Sequence, residues 1–286
     1  MYADDHQLYC SDKMPQLVER QLNHDIKAAT QWCNQNHLLA NKKKYQAMVI
    51  GPPKATDTKI TVKVDEEEIV PAKQLKLLGV IIDDQMNFSE HIREISRKAS
   101  QRLGVLNRFR NILSTTLKMT IYKTSILPYV TYCSTIWHFA KSSDLRKIER
   151  IQEKAMRIIY CDKSSSYEKL LKTANLPTLQ NRRIQDIAIL MYKVKHGLVP
   201  EYISNLFEKP DQHYALRNND FVIPRFRTVV NGKHSIRYFG PRLWSKLSMS
   251  DREKPSLNSF RTSLRKLDLT SLVTDSCNGQ CKYCNE

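Results

Sequence analysis

Apolar residues recur at three- and four-residue spacing in four long stretches of the chain, which predicts four helices with one apolar face each. The first helix is predicted to begin after Asp12 and Pro15, and the last to begin after Pro177 and to end at Gly197. The apolar positions are Val18, Leu22, Ile26, Ala29 and Cys33; Ile92, Ile95, Ala99, Leu103, Leu106 and Phe109; Leu145, Ile148, Ile151, Ala155 and Ile158; and Ile184, Ile187, Ala188, Met191 and Val194.

Strand patterns lie between the first two helical stretches. Residues 59–64 alternate strictly between polar and apolar side chains, which predicts a half-buried strand followed by an acidic turn over 65–68. Residues 47–50 predict a short strand. An apolar run over 75–83 is interrupted by Gly79, which predicts a buried strand with a bulge.

Beyond Pro200 the periodicity loosens and prolines punctuate short apolar runs, so this part is predicted to be rich in loops. The fold class predicted from these patterns is α+β. We expect a small sheet with a helix over residues 1–86, a mainly helical part over 87–199, and a loop-rich tail over 200–286. Three large aromatic side chains in the helical part are predicted to pack inside it: Tyr122, Tyr132 and Trp137.

The chain is strongly basic, with 46 Lys and Arg against 29 Asp and Glu and a formal charge of +17. Such a charge attracts polyanions, and nucleic acid is the predicted partner. An anionic membrane surface is the competing partner. It is disfavoured because no stretch approaches the ~20 apolar residues that span a bilayer, and because the basic helices lack a strongly aromatic face. The acidic and polar first residues do not resemble a signal peptide.

Cationic side chains crowd the polar faces of the second predicted helix. A helix this basic repels itself unless an anion lies alongside, so it is a candidate for phosphate contacts, which carry affinity without sequence choice. The alternative is a solvated basic face on a packing helix. The third predicted helix repeats the apolar stripe with a cationic flank. The candidates for nucleic-acid contacts on the second helix are Arg93, Arg97, Lys98, Arg102 and Arg108.

The seven cysteines form an odd, scattered set, which favours a reducing intracellular compartment over a disulfide framework. Cys10, Cys33, Cys133 and Cys161 are predicted to be core thiols. Three further thiols lie close together near the C-terminus, where a zinc ion is a weaker alternative to free thiols because structural zinc usually takes four ligands. These are Cys277, Cys281 and Cys284.

Two adjacent carboxylates, Asp4 and Asp5, follow an aromatic and a small residue at the start of the chain. This order suits a tight turn that directs Asp4 toward a divalent metal, and the alternative is a pair of turn residues in a solvated segment. The tetrapeptide Tyr2-Ala3-Asp4-Asp5 resembles the YADD box of reverse transcriptases. Further segments, in the same order as in that family, resemble non-LTR, Jockey-like retrotransposon reverse transcriptases: residues 32–48, 75–83, 121–137, 240–247 and 256–264.

The resemblance implies a truncated polymerase palm followed by a helical thumb. It implies Mg²⁺ held by Asp4 directly and by Asp5 more weakly, and a role for Lys44 near the incoming triphosphate as general acid. Without the motif, Lys44 is a residue of a solvated basic turn. The resemblance further implies nucleic-acid contacts from Tyr2 and from Leu78 and Gly79, which lie in a hairpin that supports the primer terminus.

In this family the fingers, one strand of the palm and a third metal-binding carboxylate precede the YADD box. We therefore expect a C-terminal part of a polymerase, inactive alone, whose partners are an RNA template, a DNA primer and the missing N-terminal portion. The family resemblance also implies a nuclear location. The alternative function is that of a non-catalytic basic remnant that binds nucleic acid.

Overall fold

The computed structural model of the chain describes residues 6–38, 41–51, 60–64, 67–210 and 220–274. The chain divides into two compact units, Met1–His91 and Ile92–Glu286. The first combines a long helix with two small antiparallel sheets, and the described part of the second is helical. This composition confirms the α+β class. The predicted boundaries at residues 86 and 199 stay predictions.

The first unit is built on helix α1, which has a proline in its first turn, where a missing N–H costs nothing. The buried side chains Ile26, Ile60, Val62 and Val64 form its core. Its regular elements are α1 (Pro15–Gln35), a 3₁₀ turn (Lys42–Lys44), β1 (Val62–Val64), β2 (Glu67–Ile69), β3 (Gln74–Leu77) and β4 (Val80–Asp83).

Side chains of α1 hold the backbone of the first hairpin. The Asn23 amide donates to the carbonyl of Thr61 at 2.9 Å and accepts from the N–H of Lys63 at 2.8 Å. The N–H of Thr61 donates to the Glu19 carboxylate at 3.2 Å. These bonds satisfy backbone groups of Lys63 in β1 and of Thr61 just before it, which β2 does not pair, because a two-stranded sheet leaves one side of each strand open.

Two details of the predicted strands were wrong. Residues 47–50 form no strand, and their apolar side chains Ala47 and Val49 instead pack against the core of the first unit. Glu67 and Glu68 belong to β2 rather than to an acidic turn, because β2 pairs with β1 in antiparallel register.

The apolar run over 75–83 is a hairpin. Leu77 pairs with Val80, so Leu78 and Gly79 alone form the connection between β3 and β4. Both have positive φ, 45° for Leu78 and 87° for Gly79, as a two-residue turn of the primed type requires. Gly79 is therefore explained by turn geometry and not by a bulge.

The second unit is helical, and the division between the units falls within helix α2. Five of its helices begin at a polar side chain that accepts a backbone N–H of the first turn: the caps are Ser114, Ser166, Thr178, Ser248 and Ser256. The helices are α2 (Ser89–Arg108), α3 (Thr115–Ile121), α4 (Leu127–Thr131), α5 (Ser142–Tyr160), α6 (Tyr167–Ala174), α7 (Leu179–Lys195), α8 (Glu201–Ser204), α9 (Ile236–Lys246), α10 (Met249–Arg252), α11 (Leu257–Leu264) and α12 (Thr270–Thr274).

The predicted stripe residues are buried or partly buried except Phe109, and two of the three predicted core aromatics are buried. Tyr122 and Trp137 are fully buried, as predicted. Phe109 lies beyond the end of α2 with 48% of its surface exposed, and Tyr132 is 50% exposed. Tyr132 follows α4 directly. Its backbone carbonyl accepts the indole N–H of the buried Trp137 at 3.0 Å, whereas its side chain is not in the core.

The part beyond residue 200 is more helical than predicted. Helix α9 accommodates Pro241 in its interior, and Pro255 directly precedes the cap of α11. The helices α7, α9 and α11 share one core, in which the rings of Tyr192 and Phe260 stack at 4.6 Å. At Gly240 a Cβ atom would lie 2.6 Å from the Met191 sulfur, so glycine permits the close approach of α9 to α7.

Candidate nucleic-acid interface

Helix α2 turns its cationic side chains outward because its apolar stripe faces the core. Ile92, Ala99 and Leu106 are buried. With 3.6 residues per turn, the arginines 93, 97 and 108 fall on the face opposite this stripe. These three arginines and Arg102 are exposed, and Lys98 is partly exposed.

The carboxylate of Glu94 offsets part of the positive charge on this face of α2. The Arg97 guanidinium donates to both oxygens of Glu94, at 2.9 and 3.0 Å, and the Lys98 ammonium lies 3.2 Å from the same carboxylate. The hydrogen bond from Arg97, and then that from Lys98, lower the pKa of Glu94 to about 2. Glu94 is therefore ionised at neutral pH and offsets part of the charge that the two neighbouring cations would offer to a phosphate.

Arg102 is held in position by the aromatic side chain of Tyr129. Its Nη2 donates to the Tyr129 hydroxyl at 2.7 Å, and its guanidinium carbon lies 4.6 Å from the centre of the Tyr129 ring. The contact orients the guanidinium while leaving the side chain exposed. No signal in the sequence indicates this pair, because 27 positions separate the two residues.

A second basic surface lies where the chain leaves α2 and where α5 ends. Four cations line a groove there: Arg110, Lys154, Arg157 and Lys163. The buried ammonium of Lys118 donates to the carbonyls of Arg110 and Ile158, at 3.2 and 3.4 Å, and so ties the two walls together. This groove cannot be predicted from local sequence patterns because its walls come from distant parts of the chain.

The remaining predicted site residues that the structure describes lie in exposed turns. Lys44 ends the 3₁₀ turn, where its N–H donates to the carbonyl of Asn41 at 3.0 Å, and its side chain is exposed. Leu78 is 43% exposed at the tip of the second hairpin, beside Gly79. Their predicted roles beside the triphosphate and the primer stay predictions.

The predicted metal ligands Asp4 and Asp5, with Tyr2, lie outside the described residues, as do Cys277, Cys281 and Cys284. Within the described ranges no group of three or more His, Cys, Asp or Glu side chains is placed to hold a metal ion. The described residues therefore do not form a magnesium or zinc site with three such ligands.

Four described cysteines are free thiols. Cys10, Cys33 and Cys133 are partly buried, whereas Cys161 is exposed, so its assignment to the core was wrong. Cys161 occupies the left-handed position that ends α5, with φ 53°, and this places its side chain at the groove rather than inside the helix packing. In the part of the chain that the structure describes, no helix is long and apolar enough to cross a membrane.

The described residues thus define a basic α+β protein whose exposed guanidinium and ammonium groups suit contact with phosphates. The chain is similar to the probable RNA-directed DNA polymerase from transposon BS of Drosophila melanogaster, with 29% identity over 55% of the chain. It is 32% identical to that of transposon X-element over 34% of the chain, and 28% identical to that of mobile element jockey over 55%. The resemblance to non-LTR retrotransposon polymerases is confirmed.

The matched segments cover 18%, 11% and 17% of the lengths of these three relatives. The chain therefore corresponds to a small share of each of these polymerases. No family model matches the chain, and no solved structure matches it.

Proposed function

We propose that this chain is part of a retroelement RNA-directed DNA polymerase and that it binds the template–primer duplex through the cationic face of α2. The observation that carries the proposal is the combination of similarity to such polymerases with an exposed arginine face opposite a buried stripe. Phosphate oxygens accept hydrogen bonds from guanidinium groups regardless of base sequence, which is what a polymerase that copies any template needs.

In this proposal residues 1–86 correspond to part of the palm, 87–199 to the thumb and the helices that follow it, and 200–286 to the C-terminal tail. Asp4 and Asp5 would hold Mg²⁺, which activates the primer hydroxyl and neutralises the triphosphate when bound. Lys44 would stand near the triphosphate, and the turn at Leu78 and Gly79 would approach the primer backbone. Polymerisation would then need the upstream part that carries a further carboxylate.

The proposed location is the nucleus, within the reducing interior of the cell. Four free thiols among the described residues are compatible with this proposal.

A second candidate function is binding of nucleic acid without catalysis. It is favoured by the two basic surfaces, on α2 and at the end of α5, which can bind phosphates without any metal ligand. In that case Asp4 and Asp5 would have no part in the activity.

A binding experiment tests the first step of the proposal. Affinity for an RNA–DNA hybrid is measured by fluorescence anisotropy from about 50 to about 200 mM salt. The variant that combines Arg93→Gln, Arg97→Gln and Arg108→Gln should weaken binding and reduce the slope of log K against log salt by about 2–3. The matched control, with Lys172→Gln, Arg265→Gln and Lys266→Gln, removes the same charge from exposed positions outside α2.

Primer extension separates the two candidate functions. The chain, with and without an upstream polymerase portion supplied separately, is incubated with Mg²⁺, an RNA template and a DNA primer. Extension that Asp4→Ala abolishes supports the polymerase. Tight, salt-sensitive binding without extension in either condition supports the non-catalytic function.

A further inference from the structure

The groove at the end of α5 is a concave site separate from the face of α2. Its volume is about 680 Å³, within the range of pockets that hold small ligands. Its walls are residues 110–111, which follow α2, the last turns of α5, and the loop over 161–164. The lining residues are Arg110, Asn111, Lys154, Arg157, Ile158, Cys161, Asp162, Lys163 and Ser164.

Two of the charged lining residues, Arg157 and Asp162, form hydrogen bonds that stabilise the walls of the groove. Arg157 donates through Nε and Nη2 to Glu153, at 3.2 and 2.7 Å. Its Nη1 donates to the carbonyls of Lys163 and Ser165, at 3.0 and 3.1 Å, which holds the loop against the helix. With four of its five N–H groups engaged and a carboxylate beside it, Arg157 is a poor ligand for a further anion.

Asp162 is turned toward its own loop. Its Oδ1 accepts the N–H groups of Ser164 and Ser165, at 2.8 and 2.9 Å. Hydrogen bonds from Ser165, and then from Ser164, hold the pKa of Asp162 far below its usual range. The carboxylate is therefore ionised but already compensated by N–H donors, which reduces its repulsion of an incoming anion.

Three cations then remain to face a ligand. Arg110, Lys154 and Lys163 are exposed, and none of them forms an ion pair with a carboxylate within the described ranges. Arg110 makes one 3.3 Å hydrogen bond to the Asn107 side chain. The residues that flank Arg110 and Asn111 in the chain are apolar and exposed, 48% for Phe109 and 78% for Ile112. Exposed cations next to exposed apolar side chains suit a backbone phosphate with an unstacked base beside it.

We infer that this groove binds the phosphodiester backbone of single-stranded nucleic acid, as a second site apart from the duplex-binding face of α2. The inference rests on the proposed function. A concavity of this size admits a nucleotide or two of a flexible strand, whereas a duplex is a rigid rod that meets broader surfaces. An unpaired base can also stack on an exposed aromatic ring, whereas the bases of a duplex are already stacked on one another.

The test compares a dye-labelled oligouridine with an RNA–DNA hybrid, using the full chain. The groove variant combines Arg110→Gln, Lys154→Gln and Lys163→Gln, and the control is the variant with Lys172, Arg265 and Lys266 changed to Gln. We expect the groove variant to bind oligouridine about tenfold more weakly or worse, with a salt slope reduced by about 2, at about 0.7 for each phosphate. Its affinity for the hybrid should change by less than about twofold.

Each other outcome overturns the inference. If the groove variant binds oligouridine as well as the unaltered chain does, or if the control loses as much affinity, the groove is not the site. In that case, loss of hybrid binding in the α2 variant would still support the proposed function. An equal loss for both ligands shows a general charge effect. If the unaltered chain binds neither ligand in about 50 mM salt, the proposed function and the inference fail together.

A footprint on the unaltered chain provides a second measurement that needs no substitution. Cys161 lines the groove and is exposed, whereas Cys133 lies in the same unit outside the groove. Oligouridine should slow the alkylation of Cys161 by N-ethylmaleimide, measured by peptide mass spectrometry, and leave that of Cys133 unchanged. Unprotected Cys161 at saturating oligouridine would contradict the inference.

Discussion

The ammonium nitrogen of Lys118 lies 3.5 Å from the sulfur of Cys161. Lys118 is 3% exposed, and its other two hydrogen bonds go to carbonyl oxygens, one of them in the last turn of α5. A cation at a helix C-terminus is stabilised by the carbonyl dipoles there. The same side chain thus closes the end of α5 and joins it to the segment that follows α2.

Replacing Lys118 by methionine keeps most of the volume but leaves two partly buried carbonyls without their donor. We expect the free energy of unfolding of the second unit to fall by about 1–3 kcal/mol, measured as a lower urea midpoint by circular dichroism. Lys123→Met, at an exposed position of the same region, should change it by less than about 0.5 kcal/mol. A variant at Lys118 that is as stable as the unaltered chain would show that these carbonyls find other partners.

Glu94 should restrain nucleic-acid binding by α2. Glu94→Gln removes the carboxylate that pairs with Arg97 and Lys98, so both cations become available to phosphates. The expected result is tighter binding of an RNA–DNA hybrid and a salt slope steeper by about 1–2. Glu168→Gln, an exposed carboxylate in the first turn of α6, removes the same charge elsewhere and serves as control. Equal effects of the two substitutions would assign the gain to net charge alone.

His138 should make the second unit less stable in acid. Its Nδ1 is buried without a hydrogen-bond partner in the described residues, and its ring packs between Phe139 and Phe239. Burial, and then the charges of Arg183 and His234, lower the pKa of His138 to about 3. The unfolded chain therefore binds a proton between pH 6.5 and 3 that the folded chain does not, so stability falls as pH falls through that window.

The loss attributable to His138 is about 2 kcal/mol at pH 5, relative to neutral pH. His138→Phe keeps a ring in the same packing and removes the titrating group, so urea midpoints should depend less on pH between about 6.5 and 4. The exposed His24, changed to Gln, is the control. An unchanged pH dependence in the His138 variant would assign the acid sensitivity to other groups.

Asp220 holds the indole of Trp244. Its carboxylate accepts the Trp244 Nε1–H at 2.7 Å and pairs with Lys195 at 3.0 Å, which links the start of the segment at residue 220 to α7 and α9. Asp220→Ala should reduce the free energy of unfolding by about 1–3 kcal/mol because the buried indole N–H loses its acceptor. Asp220→Asn retains an acceptor oxygen and should cost less. Equal losses for the Asn and Ala variants would mean that the charge of Asp220 matters more than its acceptor oxygen.

The helices were predictable where periodicity alone decides, as in α1, α2, α5 and α7, because an amphipathic stripe must face a core. The sequence could not decide whether Gly79 lies in a bulge or in a turn, because an apolar run with one glycine suits both. The pairing of Leu77 with Val80 shows that it lies in a turn. Helix α9 was not predicted because a proline such as Pro241 usually ends a helix. The burial of Leu243 and Trp244 outweighs the one backbone hydrogen bond that the proline removes.

The candidate site was likewise predictable only where its residues lie close together in the sequence. The cations of α2 follow from sequence, and so does their nearness to Glu94, which is three and four positions away. The Arg102–Tyr129 pair and the groove beside Cys161 depend on which helices meet, and nothing in the local pattern states that.

The shared core of α7, α9 and α11 bears on any attempt to shorten this protein. A chain ended at residue 200 would leave Met191 and Tyr192 facing water, since the rings and methyl groups that cover them come from residues 207–269. Such a fragment would be expected to aggregate, whereas one that runs to residue 274 keeps its apolar surface covered. The described residues between 207 and 269 are therefore part of the folding unit.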